Sequence, residues 1–389
     1  MTGSVQEKNN MFYTVINFKP INGKRKQKWE TTELEAVKGN KRKAQKILKE
    51  RIRNYELEEG LKKTDVMFHT YIATWLENIA KLKVEESTYS AYCAAIHKHI
   101  IPYFQPLDIK LSDVKRADIQ KYVTYKFENG KLKSEGGLAS QTIRHHVAIM
   151  KQVFREALKD NIISVNPCDN VTLPKPKKYE AAFYNAEQIK YLFNAIKDDW
   201  IYPLVFVTVV LGLRRSEVLG IKWNCIDFDS KTLTIRHTVV PTNDSSKIIR
   251  KDSTKTSASY RTYPLSDELI QLFKYVKEEE AYNKMLLKEQ YQVNDYVFKD
   301  ALGKPHTPSY ISQHFVNLLN KHGLPKIRFH DLRHSCASLL LAQDFSLKDI
   351  QVWLGHSDIQ TTANIYSHLD IKRKTKMVES LSGTFDDIC

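Results

Sequence analysis

The spacing of apolar positions changes along the chain, and the first change separates an N-terminal module from the remaining residues. Residues 11–32 alternate like strands on both sides of an Asn22-Gly23 pair, which favours a β-hairpin turn. From Asn40 to Glu59 the apolar side chains recur at helical spacing among many charges. These patterns predict a small α+β module over residues 1–65, with a three-stranded sheet and one helix.

Residues 66–173 have helical periodicity almost throughout. The first helix begins near Phe68 and continues past Trp75. Pro102 is expected to end the second helix, and Ser140 to cap the long last one. The pattern predicts an all-α domain.

Prolines and lysines alternate in residues 174–180 and predict an extended, positively charged linker. The rest of the chain, 181–389, is expected to form a mainly-α domain with a small antiparallel sheet. Its helices include the almost wholly apolar run at 201–211, which indicates a buried helix. The β-type stretches lie between 225 and 265, around a polar hairpin through 251–261.

The charge of the chain changes this picture, because it points to a polyanionic partner. Sixty Lys and Arg against 45 Asp and Glu give the 389 residues a net charge of +15. Residues 1–65 alone hold 16 basic against 9 acidic side chains. Nucleic acid or an anionic membrane surface would attract such a chain. An ordinary solvated surface is the alternative.

The basic residues that we expect to contact DNA lie in two places, the N-terminal hairpin and the linker. A plain solvated hairpin and a plain linker are the alternative interpretations. The candidates are Lys24, Arg25, Lys26, Lys28, Lys175, Lys177 and Lys178.

Five scattered cysteines without a C-x-x-C spacing indicate reduced thiols in the cytoplasm and no metal site. The longest mostly apolar run, 201–213, is much shorter than the roughly 20 residues that span a bilayer, so no membrane partner is expected.

The candidate chemistry is concentrated in residues 329–368. This stretch contains F-H-D-L-R-H, L-G-H-S and T-T-A-N-I-Y-S-H. His330 and Arg333 are three residues apart and share a face if they lie on one helix. With Tyr366 they provide a proton-transfer group, an anion-binding group and a candidate nucleophile, a set that suits phosphoryl chemistry.

Two upstream motifs complete the pattern. Arg214 follows the apolar run in G-L-R-R-S-E, and Lys255 lies in T-K-T, shortly before R-x-x-P at Arg261–Pro264. Each motif alone is weak evidence. Together with H-D-L-R-H, L-G-H-S and T-T-x-x-x-Y-S-H, in this order, they resemble the tyrosine recombinase (phage integrase) family, and the resemblance covers essentially the whole chain.

The resemblance assigns roles to individual positions. Tyr366 would be the nucleophile, Arg214 and Arg333 the arginine pair, and Lys255 the hairpin lysine. His330 and His356 would be the two histidines, and Glu217 the acidic support residue that orients the network of base and phosphate.

The resemblance also implies a reaction and partners. The enzyme would integrate and excise a mobile element by cleaving strands through a 3′-phosphotyrosine, forming and resolving a Holliday junction without cofactor or metal. It would bind double-stranded core and arm-type sites as a homotetramer, with an excision factor and a host DNA-bending protein as potential accessories.

The N-terminal module favours an arm-binding integrase of a temperate phage or an integrative or conjugative transposon over a cellular Xer-type enzyme. The sequence also leaves open a topoisomerase-like enzyme and a non-catalytic DNA-binding regulator.

Overall fold

The chain folds into two units separated near the predicted basic linker. The computed structural model describes residues 1–18, 26–59, 61, 64–176, 182–241, 248–251 and 261–355. By their contacts, the units are Met1–Lys177 and Lys178–Cys389.

The first unit begins with a three-stranded antiparallel sheet in the order β1-β2-β3. Ala44 and Leu48 of the helix α1 are buried together with Val15 and Ile16 of the sheet. The predicted sheet and helix are therefore confirmed, although β1 has no strand-like apolar alternation and only the structure locates it. The elements are β1 (Thr2–Lys8), β2 (Met11–Asn17), β3 (Gln27–Glu35) and α1 (Asn40–Glu59).

The rest of the first unit is the predicted all-α domain, built on one hydrophobic core. Leu76–Ala80 and Ile96–Ile100 are π-helical turns, and Gln105–Leu107 and Leu111–Asp113 are 3₁₀ turns. The helices are α2 (Phe68–Trp75), α3 (Lys81–Lys83), α4 (Glu86–Ala95), α5 (Ile101–Phe104), α6 (Arg116–Asn129) and α7 (Ser140–Lys159).

Pro102 does not end its helix, contrary to the sequence-based expectation. The helical path continues from α4 through the π turn at Ile96–Ile100 into α5, where Pro102 is near the start. A wider turn directly before the proline accommodates its ring and its missing N–H. Ala139, not Ser140, occupies the N-cap position of α7.

The second unit is mainly helical with small antiparallel sheets, as predicted. Strands β4, β5 and β8 form one sheet, and β6 pairs with β7. The strands are β4 (Ile226–Asp227), β5 (Thr232–Ile235), β6 (Thr238–Pro241), β7 (Ile248–Lys251) and β8 (Arg261–Pro264). The helices are α8 (Ala186–Ile196), α9 (Tyr202–Leu211), α10 (Arg215–Val218), α11 (Asp267–Leu287), α12 (Pro308–Lys321), α13 (Asp331–Ala342) and α14 (Leu347–Leu354). Trp223–Cys225 and Lys288–Gln290 are 3₁₀ turns.

The strands on either side of residues 252–260 belong to different sheets. Before this segment, β7 pairs with β6, and after it β8 pairs with β5. The sequence predicted a hairpin through 251–261, but in the described residues these two strands are not partners. The segment that contains Lys255 therefore connects two sheets.

Helix α9 lies in the core of the second unit, because apolar side chains surround it on nearly all sides. Helix α13 packs against it. A small cluster of Cys336, Ala337 and Leu341 from α13 with Ile350 and Leu354 from α14 holds α14 in place. In the described part of the chain, no helix combines the length and apolar character needed to cross a membrane.

Candidate active site

Arg214 is placed by the abrupt end of α9. Gly212 has a φ of 62°, a left-handed conformation that favours glycine, and it ends the helix. Two residues later Arg214 is the N-cap of the short helix α10. One oxygen of Glu217 accepts the backbone N–H of Arg214 at 2.9 Å, and the other accepts Nη1 at 2.6 Å. The G-L-R-R-S-E motif is thus a compact turn that holds an arginine against a carboxylate.

Glu217 lies at the centre of three guanidinium groups. Its side chain is 2% exposed. Arg261 donates to both carboxylate oxygens, at 3.3 and 3.0 Å, and Nη1 of Arg333 lies 3.8 Å from Oε2. Burial would raise the pKa of Glu217, but the charges of Arg261 and Arg214 outweigh it and hold the pKa below its ordinary value. We call Arg214, Arg261 and Arg333 the arginine cluster.

Arg333 is the most deeply buried member of the arginine cluster, with a side chain that is 1% exposed. It donates to the carbonyl oxygens of Gly212 at 2.8 Å and Leu354 at 2.6 Å. A buried guanidinium is costly unless its N–H groups are bonded, and these carbonyls supply acceptors. Burial, together with the charge of Arg214, lowers the pKa of Arg333 to about 9, so the group remains charged at neutral pH.

The C-terminal end of α14 is bound at three successive carbonyl groups. Tyr263 donates its hydroxyl to Trp353 O at 2.7 Å, and Arg333 donates to Leu354 O. Arg214 Nη2 donates to Gly355 O at 3.0 Å. Cationic donors suit this position, since the C-terminal end of a helix carries partial negative charge. The end of α14 is therefore fixed against the arginine cluster.

His330 lies at the start of α13, as its N-cap, three residues before Arg333. Desolvation, with the charges of His334 and Arg333, lowers the pKa of His330 below that of a free imidazole, although the residue as a whole is exposed to solvent. An imidazole with a lowered pKa is neutral at pH 7 and can accept a proton. Arg328 bonds Asp331 at 2.8 Å and fixes the same helix start.

The structure brings Arg214, Glu217, Arg333 and the start of α13 together. Three other candidates, Lys255, His356 and Tyr366, lie outside the described residues. Gly355, the residue directly before His356, is held by Arg214.

The DNA-contact candidates lie in the first unit and around its end. Lys26 and Lys175 are exposed. Lys28 is within 2.9 Å of Glu30 and bonds the Tyr55 hydroxyl, and these partners raise its pKa. Arg144 of α7 holds the carbonyl of Pro174 at 2.8 Å, just before Lys175. The remaining candidates lie outside the described residues: Lys24, Arg25, Lys177 and Lys178.

Roles for Gly212, Arg261 and Tyr263 did not emerge from the sequence. Two of these residues stand in the R-x-x-P motif, to which the sequence pattern gave no role. Alternate positions of a strand face the same side, so Arg261 and Tyr263 could have been recognised as a pair.

Comparison with known proteins gives the class. The sequence model of the phage integrase family matches residues 183–373, and that of the phage integrase N-terminal SAM-like domain matches residues 67–127. A XerC-like tyrosine recombinase of Caldanaerobacter subterraneus is 30% identical over 337 residues, 82% of this chain and 84% of the relative. This chain belongs to the tyrosine recombinase (phage integrase) family.

Similar proteins also include integrases of mobile elements. The ICEBs1 integrase of Bacillus subtilis is 26% identical, and the match covers 97% of this chain and 99% of that integrase. A structure of the Tn1549 transposon integrase in complex with transposon right end DNA has the same fold, with a TM-score of 0.66 at 20% identity; the match covers 82% of this chain and 100% of that one. The enzyme class is accordingly site-specific DNA strand transfer.

Proposed function

We propose that this enzyme integrates and excises a mobile element by cleaving double-stranded DNA at core sites, with Arg214 and Arg333 of the arginine cluster binding the scissile phosphate. The observation that carries the proposal is the convergence of Arg214 and Arg333, from separate parts of the chain, on one buried carboxylate.

The charge balance of the cluster supports an anionic ligand. Three guanidiniums surround one carboxylate, so two positive charges are left over. Phosphodiester cleavage places additional negative charge on the nonbridging oxygens in the transition state, and guanidiniums bind such oxygens in planar geometry. Arg214 is the member best placed to reach DNA, since its side chain is 32% exposed against 11% for Arg261.

The reaction assigns one step to each remaining group. The Tyr366 oxygen attacks phosphorus, the bond to the 5′ oxygen breaks, and a 3′-phosphotyrosine forms. Neutral His330 accepts the phenol proton, which matters because a free phenol has a pKa near 10 and is scarcely ionised at pH 7. Lys255 donates a proton to the leaving 5′ oxygen, and His356 bonds the phosphate. A 5′-hydroxyl of the partner duplex then reverses the step and joins the strands.

The domain arrangement supports the choice of an element-encoded integrase. We assign arm-type sites to residues 1–65, core sites to 66–173 and catalysis to 181–389, with 174–180 as the linker. The active assembly is a homotetramer on two core sites, and an excision factor and a DNA-bending host protein can act with it. The complex of the Tn1549 transposon integrase with transposon right end DNA supports the DNA partner.

A suicide duplex spanning the junction of the element that encodes this protein tests the proposal. The wild type should form a covalent protein–DNA adduct, and Tyr366→Phe should form none. Tyr310→Phe, which alters an exposed tyrosine on α12, should react like the wild type. Absence of an adduct with the wild type would refute the assignment, and relaxation of supercoils without any site preference would favour a topoisomerase instead.

A further inference from the structure

We propose that Arg261, together with Tyr263, is a positioning residue for strand cleavage that sets the geometry of Glu217 and of the end of α14. This inference rests on the function proposed above, because it concerns the same site. Arg261 and Tyr263, both in the R-x-x-P motif, would thereby join the residues that the reaction depends on.

The register of β8 brings the two side chains to one face. Ile235 of β5 pairs with Arg261, and Leu233 pairs with Tyr263. Residues two apart in a strand point to the same side of the sheet. The intervening Thr262 is exposed, whereas Tyr263 is 2% exposed. The buried face of β8 is therefore directed at the arginine cluster.

On one side Arg261 fixes the carboxylate of Glu217. It donates to both oxygens, at 3.3 and 3.0 Å. Arg214 bonds the same carboxylate through Nη1 and through its backbone N–H. The orientation of Glu217 is thus determined by two guanidiniums, and a fixed Glu217 in turn restricts where Arg214 can place its remaining N–H groups.

On the other side Arg261 orients Tyr263. Its Nε donates to the Tyr263 hydroxyl, and its guanidinium carbon lies 5.2 Å from the centre of the ring. The Tyr263 hydroxyl then donates its proton to Trp353 O at 2.7 Å. The two aromatic rings also pack edge to face, with 4.9 Å between their centroids. A continuous set of hydrogen bonds therefore runs from Glu217 through Arg261 and Tyr263 to α14.

This arrangement gives Arg261 a different role from its neighbours. Arg214 and Arg333 bond the carbonyls of Gly355 and Leu354 and are the proposed phosphate ligands. Arg261 acts through Glu217 and the α14 end, after which the chain continues to His356. Its loss should slow the cleavage step while DNA affinity is retained.

The experiment compares Arg261→Met and Tyr263→Phe in single-turnover adduct formation on the suicide duplex at saturating DNA. We expect the rate to fall about 100-fold for Arg261→Met, the size of effect seen when a preorganised active-site group is lost. Tyr263→Phe keeps the aromatic ring but loses the hydroxyl, so the rate of adduct formation should fall about tenfold, which corresponds to the loss of one hydrogen bond. The Kd for the duplex, measured in the Tyr366→Phe background, should change by less than about twofold, far below the roughly tenfold that one hydrogen bond is worth.

A matched control separates positioning from simple loss of stability. Lys299 has a side chain that is 4% exposed and an ion pair of 2.6 Å with Glu280, in the same unit. Lys299→Met should lower the melting temperature and leave the cleavage rate of the folded enzyme unchanged. Arg261→Lys keeps the charge but not the two-pronged geometry, so it should recover only part of the rate.

Combination with Glu217→Gln shows whether Arg261 acts through Glu217. In that background Arg261→Met should slow cleavage by a much smaller factor than in the wild type, because residues that work as a unit are not additive. Normal cleavage by both Arg261→Met and Tyr263→Phe, or a full independent loss in the double variant, would overturn the inference. Either result, obtained with a wild type that forms the adduct, would leave the proposed function standing.

Discussion

The guanidinium of Arg333 donates a 2.8 Å hydrogen bond to the carbonyl oxygen of Gly212, a residue 121 positions earlier in the chain. The bond joins the end of α9 to the first turn of α13. It exists because Gly212 turns its backbone into the left-handed region, with a φ of 62°. A Cβ at Gly212 would stand 2.4 Å from a methyl carbon of Leu354 and 3.1 Å from the Cys336 sulfur.

Gly212→Ala should therefore be costly for two reasons, backbone strain and a clash with α14. Gly323 is a matched control, since it has a φ of 64° and a Cβ there would meet no neighbouring atom within 4 Å. We expect Gly323→Ala to lose about 1–2 kcal/mol of unfolding free energy from strain alone. Gly212→Ala should lose more and should also slow cleavage. If urea denaturation showed the same loss of unfolding free energy for Gly212→Ala and Gly323→Ala, this account would be contradicted.

Arg333→Lys should impair both folding and cleavage, because one ammonium cannot serve the carbonyls of Gly212 and Leu354 as well as Glu217. A buried carbonyl left without a donor costs about 1–3 kcal/mol, and cleavage should fall about 10²- to 10³-fold. Arg328→Lys is the control, since it changes an arginine side chain that is 59% exposed. Its effect on the cleavage rate should be small; a comparable loss would argue against a special role for Arg333.

The stability of the helical domain should decline in acid because of His146. This side chain is 2% exposed and bonds the Tyr122 hydroxyl at 2.8 Å. Burial, with the charges of His99, His145 and Lys126, lowers the pKa of His146 to about 3. The unfolded chain takes up the proton near pH 6.5, so stability is fully present above that pH and is lost as the pH falls toward 3, by about 1.4 kcal/mol per pKa unit at most.

His146→Gln tests this dependence. The variant should be less stable than the wild type at pH 7.5 but should lose less of its stability between pH 6.5 and pH 4. Thermal unfolding at several pH values gives the comparison. Parallel declines in the two proteins would show that His146 is not responsible.

Lys26 and Lys28 should differ in their contribution to DNA binding, although they are close in sequence. Lys28 already lies 2.9 Å from Glu30, which offsets its charge, whereas Lys26 is exposed just before β3. Each phosphate contact contributes about 0.9 to the slope of log Kd against log salt. Lys26→Ala should reduce the slope by about that amount, and Lys28→Ala by less. Salt titrations with a non-specific duplex measure both slopes; the reverse order would contradict the prediction.

The fold class of each domain and most of its helices could be predicted from the sequence. A helix that buries one face needs apolar residues at regular spacing, and this spacing is visible in the sequence. The start of α8 is equally local, since the side chains of Asn185 and Gln188 each accept the other's backbone N–H. Pro102 was misjudged because the π turn that accommodates it is not encoded in any single residue.

The contacts around the arginine cluster were beyond sequence reasoning. Motifs identified Arg214 and Arg333 as candidates, but the position of Arg261 depends on which strand β8 joins. That strand is β5, from an earlier part of the chain, whereas a hairpin through 251–261 would pair β8 with β7. Pairing between strands that are distant in the chain does not alter the spacing of apolar residues, so it cannot be recognised from that spacing.

The two positive charges left over in the arginine cluster have a consequence for handling the protein. Without DNA, the cluster is a ready counter-ion site, and small tetrahedral anions share the charge and shape of the phosphate that we assign to it. Sulfate or phosphate buffers should therefore raise the melting temperature of the free enzyme and compete with its substrate. Buffers without such anions are the appropriate choice for measuring cleavage rates.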